Sequence, residues 1–127
     1  MATMIKFRAW NGYRKIMADY VSAIQNGDTQ GTPSSVNVIV DGKNETWDIK
    51  NDDVELLKFT GLKDMNGKDI YEGDILENRK YRSTVKFANG KFLADVVGTI
   101  SRFDLIGETH GSKVIGNVHQ NPEISEE

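Results

Sequence analysis

The sequence predicts a mainly β protein, built as one or more small barrels of short antiparallel strands with SH3-like topology and at most one or two short helices. Three observations carry this. Apolar residues recur with period two through most of the chain, the spacing of a strand with one buried face. The strand-like runs are short and closely spaced. They are separated by Asn-Gly, Asp-Gly and Gly-Asp pairs, whose left-handed backbone suits tight hairpin turns.

Taken in order, Ile5, Phe7 and Ala9 alternate with Lys6, Arg8 and Trp10, so the first strand buries one face and Asn11-Gly12 ends it. Residues 13–26 read equally well in two ways. Ile16, Tyr20, Ala23 and Ile24 make one helical stripe, whereas Tyr20 and Val21 favour a strand over 15–21. Residues 27–35 are a polar loop. A strand over 36–40 turns at Asp41-Gly42 and pairs with 46–49. Asp52-Asp53 caps a helical turn or sits in a loop before a strand over 54–60. Asn66-Gly67 marks a tight turn, Ile70 and Tyr71 a strand fragment, and Gly73-Asp74 the entry to a strand over 75–78.

Asn89-Gly90 joins strands over 84–88 and 91–97. A two-residue loop there sets Phe87 opposite Phe92 and Val85 opposite Ala94, all four pointing into the core with Lys86 and Lys91 outside. Residues 101–106 are ambiguous, 113–119 form the last strand, and 123–127 are a frayed acidic tail. The expected organisation is an N-terminal β-rich layer over 1–60 and a C-terminal small barrel over 61–122. The alternative is one domain over 1–122.

Composition excludes several chemistries. The 127 residues carry no cysteine, which removes disulfides and thiolates. The net charge of −3 exerts no global pull on nucleic acid. No apolar run is long enough for a signal peptide or a membrane span. His110 and His119 are the only histidines, too few for a structural zinc site, so no metal is expected. Ser112 follows His110 by two residues but lies in no nucleophile elbow and reads as a turn serine. The carboxylate pairs Asp52-Asp53, Asp64 with Asp69, and Glu72 with Asp74 sit in turn contexts, where aspartates bond their own backbone. The stretch 61–74 lacks a phosphate-binding glycine pattern. No cofactor and no small-molecule substrate is expected.

Two constellations remain. Arg79, Lys80, Tyr81, Arg82, Lys86 and Lys91 form a basic run with no acidic residue from Asn78 to Phe92. Such a run with an aromatic in it can hold single-stranded nucleic acid. Trp10 lies opposite the first strand's buried face. It needs cover from a helix, a second barrel or another subunit, which points to an apolar interaction surface.

Three stretches together carry a resemblance: IKFRAWN with Met17, then LLKFTGLKDMNGKDIYEGDIL over 56–76, then VIGNVHQNPE over 114–123. The chain resembles the YopX family, small proteins of phages and prophages of Gram-positive bacteria. That family's opening usually reads RAWD, and Asn11 replaces the acid here. The resemblance implies a mainly β small-barrel fold and a location in the bacterial host cytosol. It brings no catalytic residues. Within the shared motif, Gly61, Gly67, Gly73 and Gly116 mark turns or close strand approaches, and Asp74 accepts backbone amides at a strand entry. Tyr71, Glu72 and Asp74 could instead line a binding groove. The expected function is therefore a non-enzymatic protein-interaction or self-assembling module, with a homo-oligomer or a phage or host protein as partner. The alternative is a nucleic-acid-binding barrel that uses the basic hairpin.

Overall fold

The computed structural model describes residues 6–26 and 33–125. The chain divides into two compact units between Lys58 and Phe59. It is mainly β, with antiparallel sheets, one of them curled into a half-barrel, and only short helices.

In the first unit β1 (Phe7–Asn11) pairs with β2 (Ile16–Met17) and with the first half of β6 (Val54–Lys63). Strands β3 (Tyr20–Asn26), β4 (Pro33–Val40) and β5 (Lys43–Asp48) form a three-stranded meander. Ala9, Ala18, Val36, Val38 and Trp47 are its buried core. The alternation expected along β4 and β5 is present, and Asp41-Gly42 closes the hairpin with φ of 51° and 79°. Both angles are positive, as a two-residue turn that follows strand twist requires.

Residues 13–26 are not a helix. The buried Asn11 side chain accepts the amides of Tyr13 and Arg14 at 3.1 and 2.8 Å, and Lys15 takes φ 59°. This closes a turn that sends the chain back along β1. The pairing of β3 with β4 shifts register between Val21 and Ala23. That bulge breaks period two and produces the helix-like stripe, of which Tyr20 and Ile24 are exposed. Trp10, expected to need cover from a helix, a second barrel or another subunit, is buried within the chain. The polar loop ends earlier than expected, since β4 begins at Pro33, and residues 27–32 lie outside the described residues, as does Ile5.

In the second unit the rest of β6 pairs with β7 (Asp69–Tyr71). Strands β8 (Asp74–Glu77), β9 (Arg82–Ala88), β10 (Lys91–Val96), β11 (Arg102–Asp104) and β12 (Lys113–Asn117) make a sheet in the order β11-β10-β9-β8-β12. The ambiguous segment 101–106 is thus short β11 followed by a 3-10 turn, Leu105–Gly107. Ile70, Leu76, Val85, Ala94 and Leu105 form the buried core.

The hairpin register is the expected one: Phe87 opposes Phe92, and Val85 opposes Ala94. Val85 and Ala94 are buried, but Phe87 remains 38% exposed. It sits next to the turn, beyond the core, and packs edge-on against Phe92 at 4.8 Å. The last strand ends at Asn117 rather than 119, and residues 123–125 of the expected tail join Pro122 in a single helical turn, α1 (Pro122–Ser125).

Two motif glycines show what the shared sequence encodes. Gly73 has φ +89°, a conformation costly for any residue with a Cβ. Gly116 lies at the bulge in β12, where an added Cβ would come within 2.5 Å of Asn121 Oδ1.

Candidate functional site

The second unit holds an open groove of about 780 Å³ between the β8–β9 turn, the Met65–Asn66 turn and the start of β12. Its rims are set by two aspartate- or asparagine-centred turns. Asn78 Oδ1 accepts the amides of Lys80 and Tyr81 at 2.8 and 2.9 Å, while its own amide donates to the Tyr81 carbonyl at 3.0 Å. Arg79 and Lys80 are thereby held at the tip of the turn, both exposed. Among the described residues neither has a carboxylate partner.

Across the groove, Asp64 organises the facing rim. Its Oδ1 accepts the amides of Asn66 and Lys68 at 2.8 and 2.9 Å, and its Oδ2 accepts Val114 of β12 at 2.8 Å. Burial alone would raise the Asp64 pKa. The Val114, Lys68 and Asn66 amides outweigh it and hold the carboxyl below its ordinary 3.8. The Met65 amide donates to the Ser112 carbonyl at 3.0 Å, leaving the Met65 side chain 56% exposed at the groove. Tyr81 forms part of the wall. Its hydroxyl donates to Glu108 at 2.6 Å, and its ring stacks on Phe103 at 6.0 Å. The Glu108 bond, and then burial, push the Tyr81 pKa above the ordinary phenol value.

The structure therefore brings Arg79, Lys80 and Tyr81 together but separates Arg82 and Lys86 from them. Arg82 bonds Glu77 at 3.1 Å, and Lys86 bonds Asp95 at 3.2 Å. Asp95 is shared with Arg102, whose bonds at 2.5 and 3.2 Å contribute most to lowering its pKa, and Lys91 meets Asp104 at 2.9 Å. Each cation of the hairpin strands, Arg82, Lys86 and Lys91, is thus paired with a carboxylate.

The interaction surface expected at Trp10, Tyr71, Glu72 and Asp74 has little exposed side chain. Trp10, Tyr71 and Asp74 are buried, and Glu72 is half-buried. Asp74 Oδ2 accepts the Tyr71 amide at 2.8 Å, so this pair shapes the β7–β8 turn, the strand-entry role that the sequence implies for Asp74. The paired carboxylates are occupied elsewhere as well. Asp69 bonds Lys63 at 2.7 Å, away from Asp64's three amides. Ser112 is 1% exposed. Among the described residues no group of three or more His, Asp or Glu is placed to hold a metal, and no helix is long and apolar enough to cross a membrane.

Sequence reasoning missed Met65, Asn66, Gly111 and Lys113 as groove residues. Asn78 ahead of Arg79-Lys80 was a legible turn signal. The opposing rim also carried one, Asn66-Gly67, but nothing in the sequence set that turn and residues 111–113 against Arg79-Lys80.

Comparison with known proteins agrees with this architecture. A family model described as "YopX protein" matches residues 6–126. Protein EF1440 from Enterococcus faecalis is similar in structure, with a TM-score of 0.69 and 27% identity over 98% of this chain and 100% of that one. Protein yopX from Bacillus subtilis has the same fold, with a TM-score of 0.64 and 23% identity over 96% of each chain. No curated protein matches the sequence. The turn-forming motif residues, the antiparallel sheets they connect and the match along nearly the whole length lead to one conclusion: the chain belongs to the YopX family.

Proposed function

We propose that this protein is a non-enzymatic binding module, a phage or prophage accessory protein of the bacterial host cytosol, and that its groove receives a protein partner. One observation carries the reading. Arg79 and Lys80, the two cations of the basic run without a carboxylate partner among the described residues, border the same concavity as the exposed Met65. The non-enzymatic part is supported by what the candidate acids do: Asp64 spends both oxygens on backbone amides, and Asp74 Oδ2 accepts another.

A photo-crosslinking residue at Met65, expressed in a bacterium that carries the gene, tests this. A discrete, nuclease-resistant protein adduct is expected, lost in Arg79→Glu/Lys80→Glu. The same probe at Tyr13, 77% exposed in the first unit, should not give that adduct. A nuclease-sensitive adduct, or none, overturns the reading.

Self-assembly is favoured by a separate observation. The edge strand β3 reads YVSAIQN, without one charge, and exposes Tyr20 and Ile24. Natural edges are usually guarded by charge, proline, cover or bulges; β3 has the bulge after Val21 but no charge, which leaves its exposed apolar residues open to strand pairing. Sedimentation is expected to show a concentration-dependent oligomer that Ile24→Lys reverts to monomer. A strict monomer at high concentration removes this second reading.

A further inference from the structure

We propose that the groove takes an extended acidic peptide segment of a partner protein, with apolar side chains between its carboxylates. This rests on the reading of the groove as a docking site and names the chemistry of what docks there. The first argument is charge. Arg79 and Lys80 stand side by side at one rim, and Lys113 stands at another. The nearest lining acid, Glu77, is already bonded to Arg82 at 3.1 Å and lies 4.0 Å from Lys113. The groove is therefore a local positive site on a chain of net charge −3, and it selects an acidic occupant.

The second argument is surface chemistry. Most of the lining is carbon, and Met65 presents an adaptable thioether side chain to it. A bare anion would leave that surface uncovered. An extended segment alternates its side chains, so one set reaches the apolar wall while the other meets the cations. The volume falls within the roughly 300–1,000 Å³ usual for ligand sites.

A nucleic-acid strand fits less well. Laid along β9 from the groove it would meet Glu77 and Asp95, and the cations there are already bonded to those acids. Two or three available cations release few counterions. Tyr81 would offer at most one stacking face, because the other is taken by Phe103.

Fluorescence anisotropy with a short labelled peptide of alternating Glu and Leu tests the proposal. Saturable, salt-sensitive binding is expected. It should weaken at least about tenfold in Arg79→Glu/Lys80→Glu and several-fold in Met65→Ser. These positions are exposed, and circular dichroism checks that each variant is folded. A polyglutamate peptide of equal length should bind more weakly, and a Lys-Leu peptide and an oligothymidine should not bind. Three results overturn the proposal: no saturable binding of the Glu-Leu peptide, equal binding of polyglutamate, or tighter binding of oligothymidine. A crosslinked protein at Met65 without peptide binding would reject the acidic segment while leaving the docking reading intact.

Discussion

Replacing Trp47 by alanine is expected to destabilise the first unit by about 3–5 kcal/mol, the largest effect of any single substitution considered for this chain. Trp47 is the largest fully buried side chain, 1% exposed. It sits on β5 opposite Val36 of β4, and the fully buried residues clustered with it are small or β-branched: Ala9, Ala18, Val36 and Val38, with larger side chains such as Leu56 only at the edge of the cluster. Those side chains are too short to collapse into the space an indole leaves, so the cavity cost adds to the lost burial. The indole N–H also donates to Glu45 at 2.9 Å, the carboxylate that holds Arg14 at 2.6 Å. Trp47→Phe refills most of the volume and loses only that bond, so about 1–2 kcal/mol is expected. Urea unfolding followed by the fluorescence of Trp10, the remaining tryptophan, separates the two. A Trp47→Ala cost below about 1 kcal/mol would mean that the ring does not carry this core.

Trp47 also illustrates what the sequence made legible. Its strand followed from the Asp41-Gly42 turn written in the chain, which pairs 36–40 with 46–49, and the folded register sets it opposite Val36. The same logic placed Val85 against Ala94 around Asn89-Gly90. Local turn chemistry together with period two sets register, and register sets which side chains face inward. The reading broke down where a local irregularity mimics another period. In residues 13–26 the Asn11-centred turn and the bulge after Val21 displace successive side chains by one position, and the result resembles a helical stripe. Asn11-Gly12 announces the start of the turn, but its continuation through Lys15 rests on a positive φ that sequence rarely assigns to lysine, and no residue type announces the bulge.

The candidate site was half legible for a different reason. Arg79-Lys80-Tyr81 are contiguous, so their grouping needed no fold. Whether a cation is available, however, depends on neighbours across strands. Lys86 reaches Asp95 of β10, and Asp95 also holds Arg102 of β11, three segments that meet only in the folded sheet. Trp10 and Asp74 show the opposite case. Asp74 accepts a backbone amide at the entry to β8, as its place after Gly73 implies, and Trp10, which the alternation leaves in need of cover, is buried. The motif that carries the family resemblance thus specifies turns, while the groove's chemistry draws partly on the less sharply matching segments that flank it.

Asp64→Asn is expected to cost about 2–3 kcal/mol at neutral pH, with a pH dependence that identifies the cause. The aspartate is 7% exposed, and its two oxygens accept three backbone amides, from Asn66, Lys68 and Val114. An asparagine has the same shape but one acceptor oxygen. Either the Val114 amide or the Asn66 and Lys68 amides must then face an NH₂ group, leaving buried donors opposed. The folded carboxyl titrates below the ordinary 3.8, so its contribution to stability is fully present above that value and is lost as pH falls through the lowered folded value. Other carboxylates of the chain, Asp95 among them, titrate in both proteins and cancel in the difference. The stability gap between wild type and Asp64→Asn should therefore be constant from neutral pH down to about pH 5 and should narrow below pH 4. A gap that stays constant to the acid limit would mean that shape and packing, rather than the carboxylate charge, hold the Met65 rim against β12. An intact gap at neutral pH with narrowing in acid ties the rim of the groove to the ionised state of one buried side chain. Peptide binding at the groove should then weaken in Asp64→Asn even though Asp64 itself never reaches the ligand, because the backbone that presents Met65 is no longer pinned.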